Sequence, residues 1–203
     1  MKMISTMEAD IQEKKYSMVI RHVDEESDEV NVAVELVKEK KLRGIIFLGG
    51  LSNHSSKKLE KLGVPYVLST ISANEGDLED FSAISVDDTM ESYKLTKYLI
   101  DKGHKKIAII AAPKSDISIG QLRLQGYMKA LKDSGIEVDD KLIWHTKEDT
   151  DTYSMQNGYN VMKERLAEAE DFTAVYAISD TMAIGAMRAL HEVNKNVPND
   201  ISV

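Results

Sequence analysis

Apolar residues along this chain recur at helical spacing in some stretches and as short continuous runs in others, and the two alternate. Met3, Ile4, Met7 and Ile11 predict an amphipathic helix over residues 2–15, and the apolar run at 16–20 predicts a short strand after it. Val30, Ala33, Val34, Val37 and Leu42 mark a second helix. The segment Gly44-Ile45-Ile46-Phe47-Leu48 then reads as a fully buried strand ending at Gly49-Gly50. A short helix at 57–62, a strand at 64–68, a polar loop over 72–80 and a strand at 83–86 follow. Asp88-Thr89-Met90-Glu91 has the spacing of a helix N-cap with its reciprocal Glu at N3, opening a helix over 89–101 that stops before Gly103. Three more strand and helix pairs complete the series: 107–111 with 119–134, 141–145 with 154–168, and 174–178 with 181–194. Strands alternating with helices predict an α/β fold with parallel, doubly wound sheets.

Length and composition narrow this picture. At 203 residues the chain exceeds the commonest domain size of ~100–150 residues, so one large domain or two coupled subdomains both fit. The best boundary is at 102–106, where a helix ends and a strand begins. Net charge is −8, from 34 acidic against 26 basic residues. Without a long basic run, this segment repels a phosphate backbone instead of attracting one. The absence of cysteine excludes disulfides, thiolate zinc sites and thiol catalysis, and fits a reducing compartment. No stretch approaches the ~20 apolar residues of a membrane span, and the first fifteen residues carry Glu8, Asp10 and Glu13 in place of a signal-peptide core. The expectation is a cytoplasmic protein with no membrane partner.

Open parallel sheets bind ligands beyond the carboxyl ends of their strands. That rule singles out Gly49, Ser69, Thr70, residues 113–118 and 146–153, Ser179 and Asp180. Arg123 lies near the start of its helix, where a guanidinium is either a solvated surface group or a planar fork of donors for hydroxyls, carboxylates or phosphates. Asp180 is either a helix cap or an acceptor for adjacent sugar hydroxyls or base N–H groups. Tyr153 either packs at the head of its helix or stacks on the apolar face of a ligand. Catalytic alternatives find less support. The five histidines show no metal-ligand spacing, and no Gly-x-Ser-x-Gly elbow, phosphate loop or Gly-x-Gly-x-x-Gly run occurs. Asp87-Asp88 reads as capping rather than as an acid–base pair. These features imply a small-molecule sensor without cofactor or metal, not an enzyme.

The ordered set Gly-His-Lys-Lys-Ile-Ala-Ile-Ile-Ala-Ala-Pro at 103–113, Arg123-Leu124-x-Gly126-Tyr127-x-x-Ala130-Leu131, Ser179-Asp180-x-Met182-Ala183-Ile184-Gly185 and Val197-Pro198-x-Asp200-Ile201-Ser202-Val203 resembles the effector-binding core of the lactose/galactose repressor family. Gly44-Ile45-Ile46, Val64-Pro65-x-Val67 and Val86-Asp87-Asp88 agree upstream in order and spacing. The resemblance implies a periplasmic-binding-protein-like core of two α/β subdomains, here 1–104 and 105–203, with an effector in the cleft between them. It makes Arg123 and Asp180 cleft residues, places Tyr153 at an aromatic effector contact, and puts Ser69 where the family often has Asp. Ser179 stands where Asn is usual. It also implies a sugar, sugar phosphate or nucleoside as effector, a homodimer in the full-length protein, and operator DNA bound through a separate helix-turn-helix headpiece absent from this sequence. Both subdomains are expected to be incomplete, the first without its opening strand and the second truncated. An extracytoplasmic sugar-binding protein of a transport system is the alternative, and an enzyme of the doubly wound class ranks third.

Overall fold

The computed structural model describes residues 2–24, 27–49, 56–69, 81–116, 118–148, 151–168 and 171–203. Gly50, Thr70, the 72–80 loop, Ile117 and Asp149 lie outside them. Helix α1 (Lys2–Glu13) and helix α2 (Glu29–Lys40) precede strand β1 (Ile45–Leu48). Asp28 starts α2 by accepting the backbone N–H groups of Val30 and Asn31, each at 3.1 Å. Helix α3 (Ser56–Leu59) tightens into a 3₁₀ turn, Glu60–Leu62, and leads to β2 (Tyr66–Ser69) and β3 (Ser82–Ile84). These strands form one parallel sheet in the order β1-β2-β3, with Ile45 opposite Tyr66 and Val67 opposite Ser82. Val30, Phe47, Leu59, Leu62 and Leu68 fill its core.

Helix α4 (Asp88–Asp101) connects to a second parallel sheet, built from β4 (Ile107–Ala111), β5 (Ile143–His145) and β6 (Ala174–Ala177) in the order β5-β4-β6. Helix α5 (Ile119–Asp133) follows β4, α6 (Met155–Ala167) follows β5, and α7 (Asp180–Glu192) follows β6. All five residues of β4 are buried, as a central parallel strand covered on both faces requires. Trp144 of β5 meets Phe172 edge to face, with centroids 5.0 Å apart and planes at 81°. Tyr127, fully buried on α5, donates its hydroxyl to the Ile107 carbonyl at 2.7 Å. By sequence α4 precedes the expected boundary at 104, yet its Leu99 and Ile100 pack on this second core. Gly126 of α5 sits so close beneath Thr89 that a Cβ there would strike the Thr89 carbonyl. Among the described residues, no helix is long and apolar enough to cross a membrane.

The α/β class and the parallel sheets agree with the sequence pattern, but four local expectations do not. Residues 16–20 are not a strand: Tyr16, Val19 and Ile20 are exposed and the segment has no ladder. An apolar run becomes a strand only where a neighbour takes up its backbone groups. Strand β1 is not fully buried either: among the described residues one of its faces is left uncovered. Phe47 points into the core while Ile46 and Leu48 stay exposed, the alternation of a strand with one covered face. The 141–145 strand starts as a 3₁₀ turn, Asp140–Leu142, and only Ile143–His145 join the sheet. Finally, the cap of α4 is Asp87, which accepts the Met90 N–H at 2.9 Å. Asp88 is thereby left for another task.

Candidate functional site

Three helices begin where the strands of the second sheet end, and their first turns converge. Arg123 comes from the second turn of α5. Its Nε donates to Asp88 Oδ1 at 2.8 Å, its Nη2 forms an ion pair with the same oxygen at 2.8 Å, and its Nη1 donates to the Ile178 carbonyl, just past β6, at 2.5 Å. The Ser92 hydroxyl of α4 donates to the Arg123 backbone carbonyl at 2.5 Å. A guanidinium carries five N–H groups. Three are engaged here, which leaves two without a partner among the described residues, on a side chain still 28% exposed. Arg123 is thus neither a solvated face residue nor a free anion hook. It pins α4, α5 and β6 together and keeps donors in reserve.

Asp180 is the first residue of α7, not its cap. Ser179 holds that position and accepts the Met182 N–H at 3.3 Å. The Asp180 carboxylate is exposed, two residues beyond the carbonyl that Arg123 grips. It sits in the first turn, where the helix dipole favours an anion. The structure therefore brings Arg123 and Asp180 to one end of one sheet.

Tyr153 joins them from the loop before α6. The hydroxyl of Thr181 donates to its backbone carbonyl, and Ser179 Oγ reaches the same oxygen at 3.5 Å. The phenol lies half-buried 3.5 Å from the Ser118 hydroxyl, and burial raises its pKa. Gly120 makes this approach possible. A Cβ there would overlap the Tyr153 hydroxyl, the Asp116 carboxylate and Ala112. Asp116 in turn accepts the Ser118 and Gln121 backbone N–H groups, at 3.2 and 3.1 Å, and so organises the start of α5.

Ser69 belongs to a different sheet. It ends β2, is 5% exposed, and its carbonyl accepts the N–H of Gly49 at 2.9 Å. Gly49 has φ +75°, a left-handed turn that glycine adopts without strain. Thr70 and Asp149, also singled out by sequence, lie outside the described residues, as does Ile117.

The sequence reading missed the pairing role of Asp88 and missed His145, whereas Thr146 opens the 146–153 stretch that the strand-end rule singled out. Asp88 was visible as the second of two adjacent carboxylates of which only one can cap. His145 ends β5, and its Nδ1 lies 2.7 Å from the Ala112 carbonyl. Thr146 is 4% exposed and its hydroxyl has no hydrogen-bond partner among the described residues. A pocket of about 120 Å³ lies between the end of β4, the start of α5 and His145, lined by residues that include Ala112, Pro113, Lys114, Asp116 and Gln121 but not Arg123, Tyr153, Thr146 or Asp180. A larger groove, about 240 Å³, lies between the far ends of α6 and α7 and includes none of the expected site residues. Among the described residues, no group of three His, Asp or Glu side chains could hold a metal ion. The chemistry on offer is a mixture of donors and acceptors: two guanidinium N–H groups, an exposed carboxylate, a phenol and a buried hydroxyl. Such a mixture suits a ligand whose own groups both donate and accept.

A family model described as periplasmic binding proteins and sugar binding domain of LacI family matches residues 1–203. The HTH-type transcriptional regulator MalR of Clostridium butyricum is 31% identical over 95% of this chain and 57% of its own length. The ribose operon repressor of Escherichia coli K12 is 30% identical over 94% of this chain and 56% of its own length. The solved complex of the transcriptional regulator CelR with cellobiose is 30% identical, with a TM-score of 0.75, and is matched over 97% of this chain and 58% of that one. The chain thus spans little more than half the length of these curated relatives.

Proposed function

The chain belongs to the family of periplasmic binding proteins and LacI-type sugar-binding domains, and from that membership we propose that it is the effector-sensing core of a cytoplasmic transcriptional regulator. A small polar ligand, a sugar or sugar derivative, occupies the cleft between a unit built on β1–β3 and one built on β4–β6, which we divide at 104/105. Occupancy shifts the relation of the two units, and in the full-length homodimer this controls operator binding by a separate helix-turn-helix segment. A ligand produces such a shift only by binding one arrangement better than the other. The role is one of binding, not of catalysis.

One observation carries the reading. Arg123 retains N–H groups without a partner among the described residues, and the exposed Asp180 follows two residues after the Ile178 carbonyl that Arg123 grips, at the carboxyl end of β6. The neighbouring pocket, about 120 Å³ at the end of β4 and the start of α5, is smaller than the roughly 300 Å³ of a complete ligand cavity, and this end of the second sheet serves as one wall. Ser69, at the end of β2, belongs to the facing wall, and Tyr153 supplies the apolar surface on which a pyranose ring stacks.

Asp180 is exposed and bonded to nothing among the described residues, so Asp180→Ala leaves the fold intact. Calorimetric titration of ribose, maltose and cellobiose is expected to show binding that weakens about tenfold or more in this variant, the loss of a hydrogen bond to a charged group. Unchanged affinity would sink the assignment. An extracytoplasmic sugar-binding protein remains the second reading, because the family includes such proteins. A signal peptide in the upstream coding sequence would favour it, and a helix-turn-helix would favour the regulator.

A further inference from the structure

Arg123 is the cation that meets a ligand in the reading above, but its charge is already matched. Two of its nitrogens converge on one oxygen of Asp88, and the Asp88 side chain is only 10% exposed. The pair as a whole is neutral. Its remaining N–H groups still donate hydrogen bonds, yet the field that would attract an anion is cancelled at its source. The surroundings push the same way. Asp116 lies at the start of α5 and Asp180 at the start of α7, both carboxylates, while Lys114 on the pocket rim is exposed and solvated. Counting Lys147, Glu148 and Asp151 of the stretch after β5, the described residues at this end of the sheet carry three cations and five carboxylates.

Resting on the effector reading, we infer that the site selects an uncharged, hydroxyl-bearing ligand and rejects its phosphate ester, and that Asp88 sets this selectivity. Asp88 is a positioning residue: it orients the guanidinium and neutralises it. A sugar hydroxyl takes a hydrogen bond from Arg123 and gives one to Asp180. A phosphate in the same place accepts from Arg123 but faces Asp88 behind it and Asp180 beside it, and like charges brought together at a binding site carry a severe penalty.

The test compares wild-type protein with Asp88→Asn, whose amide oxygen still accepts from the guanidinium without carrying charge. Melting and circular dichroism verify that the variant folds. Each protein is titrated with ribose and with ribose 5-phosphate, with glucose and glucose 6-phosphate, and with inorganic phosphate alone. Wild type is expected to bind a neutral sugar at least about tenfold more tightly than its phosphate ester and to give no response to inorganic phosphate. Asp88→Asn is expected to move that ratio about tenfold toward the ester and to gain a response to phosphate. A merely structural role for Asp88 would weaken both ligands equally and leave the ratio fixed, which would overturn the selectivity. So would a wild type that binds an ester through Arg123 as tightly as the sugar, although the effector reading would then stand. Binding of neither class, or binding indifferent to Asp180→Ala, would remove the effector reading and this inference with it.

Discussion

Adjacent carboxylates at the head of α4 show how differently two like residues can be employed. Asp87 caps the helix and Asp88 holds Arg123. Replacing Asp87 by Ala is expected to cost about 1 kcal/mol, the ordinary value of a cap. Asp88→Ala is expected to cost more, about 2 kcal/mol, since it strands a guanidinium that is mostly buried; the remaining exposure of Arg123 keeps the figure below that of a fully buried pair. Urea denaturation of both variants checks the order, and a larger loss for Asp87→Ala would contradict it. Tyr127 offers a second measurement. Burial raises its phenol pKa well above the ordinary value of about 10. The protonated phenol is therefore favoured in the folded state. Its contribution is fully present below pH ~10 and is lost as pH rises further, because the unfolded chain releases the proton first. Tyr127→Phe is expected to flatten the alkaline part of the stability profile while costing about 1–2 kcal/mol at neutral pH for the unpaired Ile107 carbonyl. Little of this was legible in the sequence. Arg123 and Asp180 stood out by position, but which carboxylate caps and which one pairs depends on where α5 is brought by packing.

Helix pairs, not single helices, build the end of the second sheet that carries the candidate site. Gly158 of α6 lies against the Met182 carbonyl, and Gly185 of α7 lies against the Met155 carbonyl, so the first turns of these helices touch backbone to backbone. This contact brings Tyr153, just before α6, within reach of Ser179 and Thr181 at the start of α7. Gly158→Ala or Gly185→Ala would force the helices apart and is expected to cost about 1–3 kcal/mol. The same variants are expected to weaken ligand binding, because the Tyr153 backbone would be pulled from Ser179 and Thr181 at the start of α7. Thermal melting and ligand titration of the same sample read both effects. A Gly185→Ala protein as stable as wild type would show that the helices cross less closely. At this scale the sequence was more informative: helical spacing located α1, α2 and α4–α7 to within one or two residues. It erred where an element depends on its neighbour, as at 16–20 and in the outward face of β1.

Across the molecule the two sheets are unequally supported. Among the described residues, six buried apolar side chains form the core of the first sheet and twenty-one that of the second. Local opening takes its free energy from the apolar contacts that must be broken. Hydrogen exchange is therefore expected to be fastest in β1–β3 and α2, and slowest in β4, β6, α5 and α7. Equal protection of the two halves would show that a shared interface, not each core, controls opening. Alternating apolar runs and helical periodicities determined the α/β class, the parallel sheets and most element positions, because burial on one face or two is written directly into residue spacing. Only the tertiary structure decided that Arg123 is neutralised by Asp88, that the Ser92 hydroxyl holds the Arg123 carbonyl, and that Gly120 clears room for Tyr153. Each of these joins residues far apart in the chain, and packing chooses such partners where local periodicity carries no record of them.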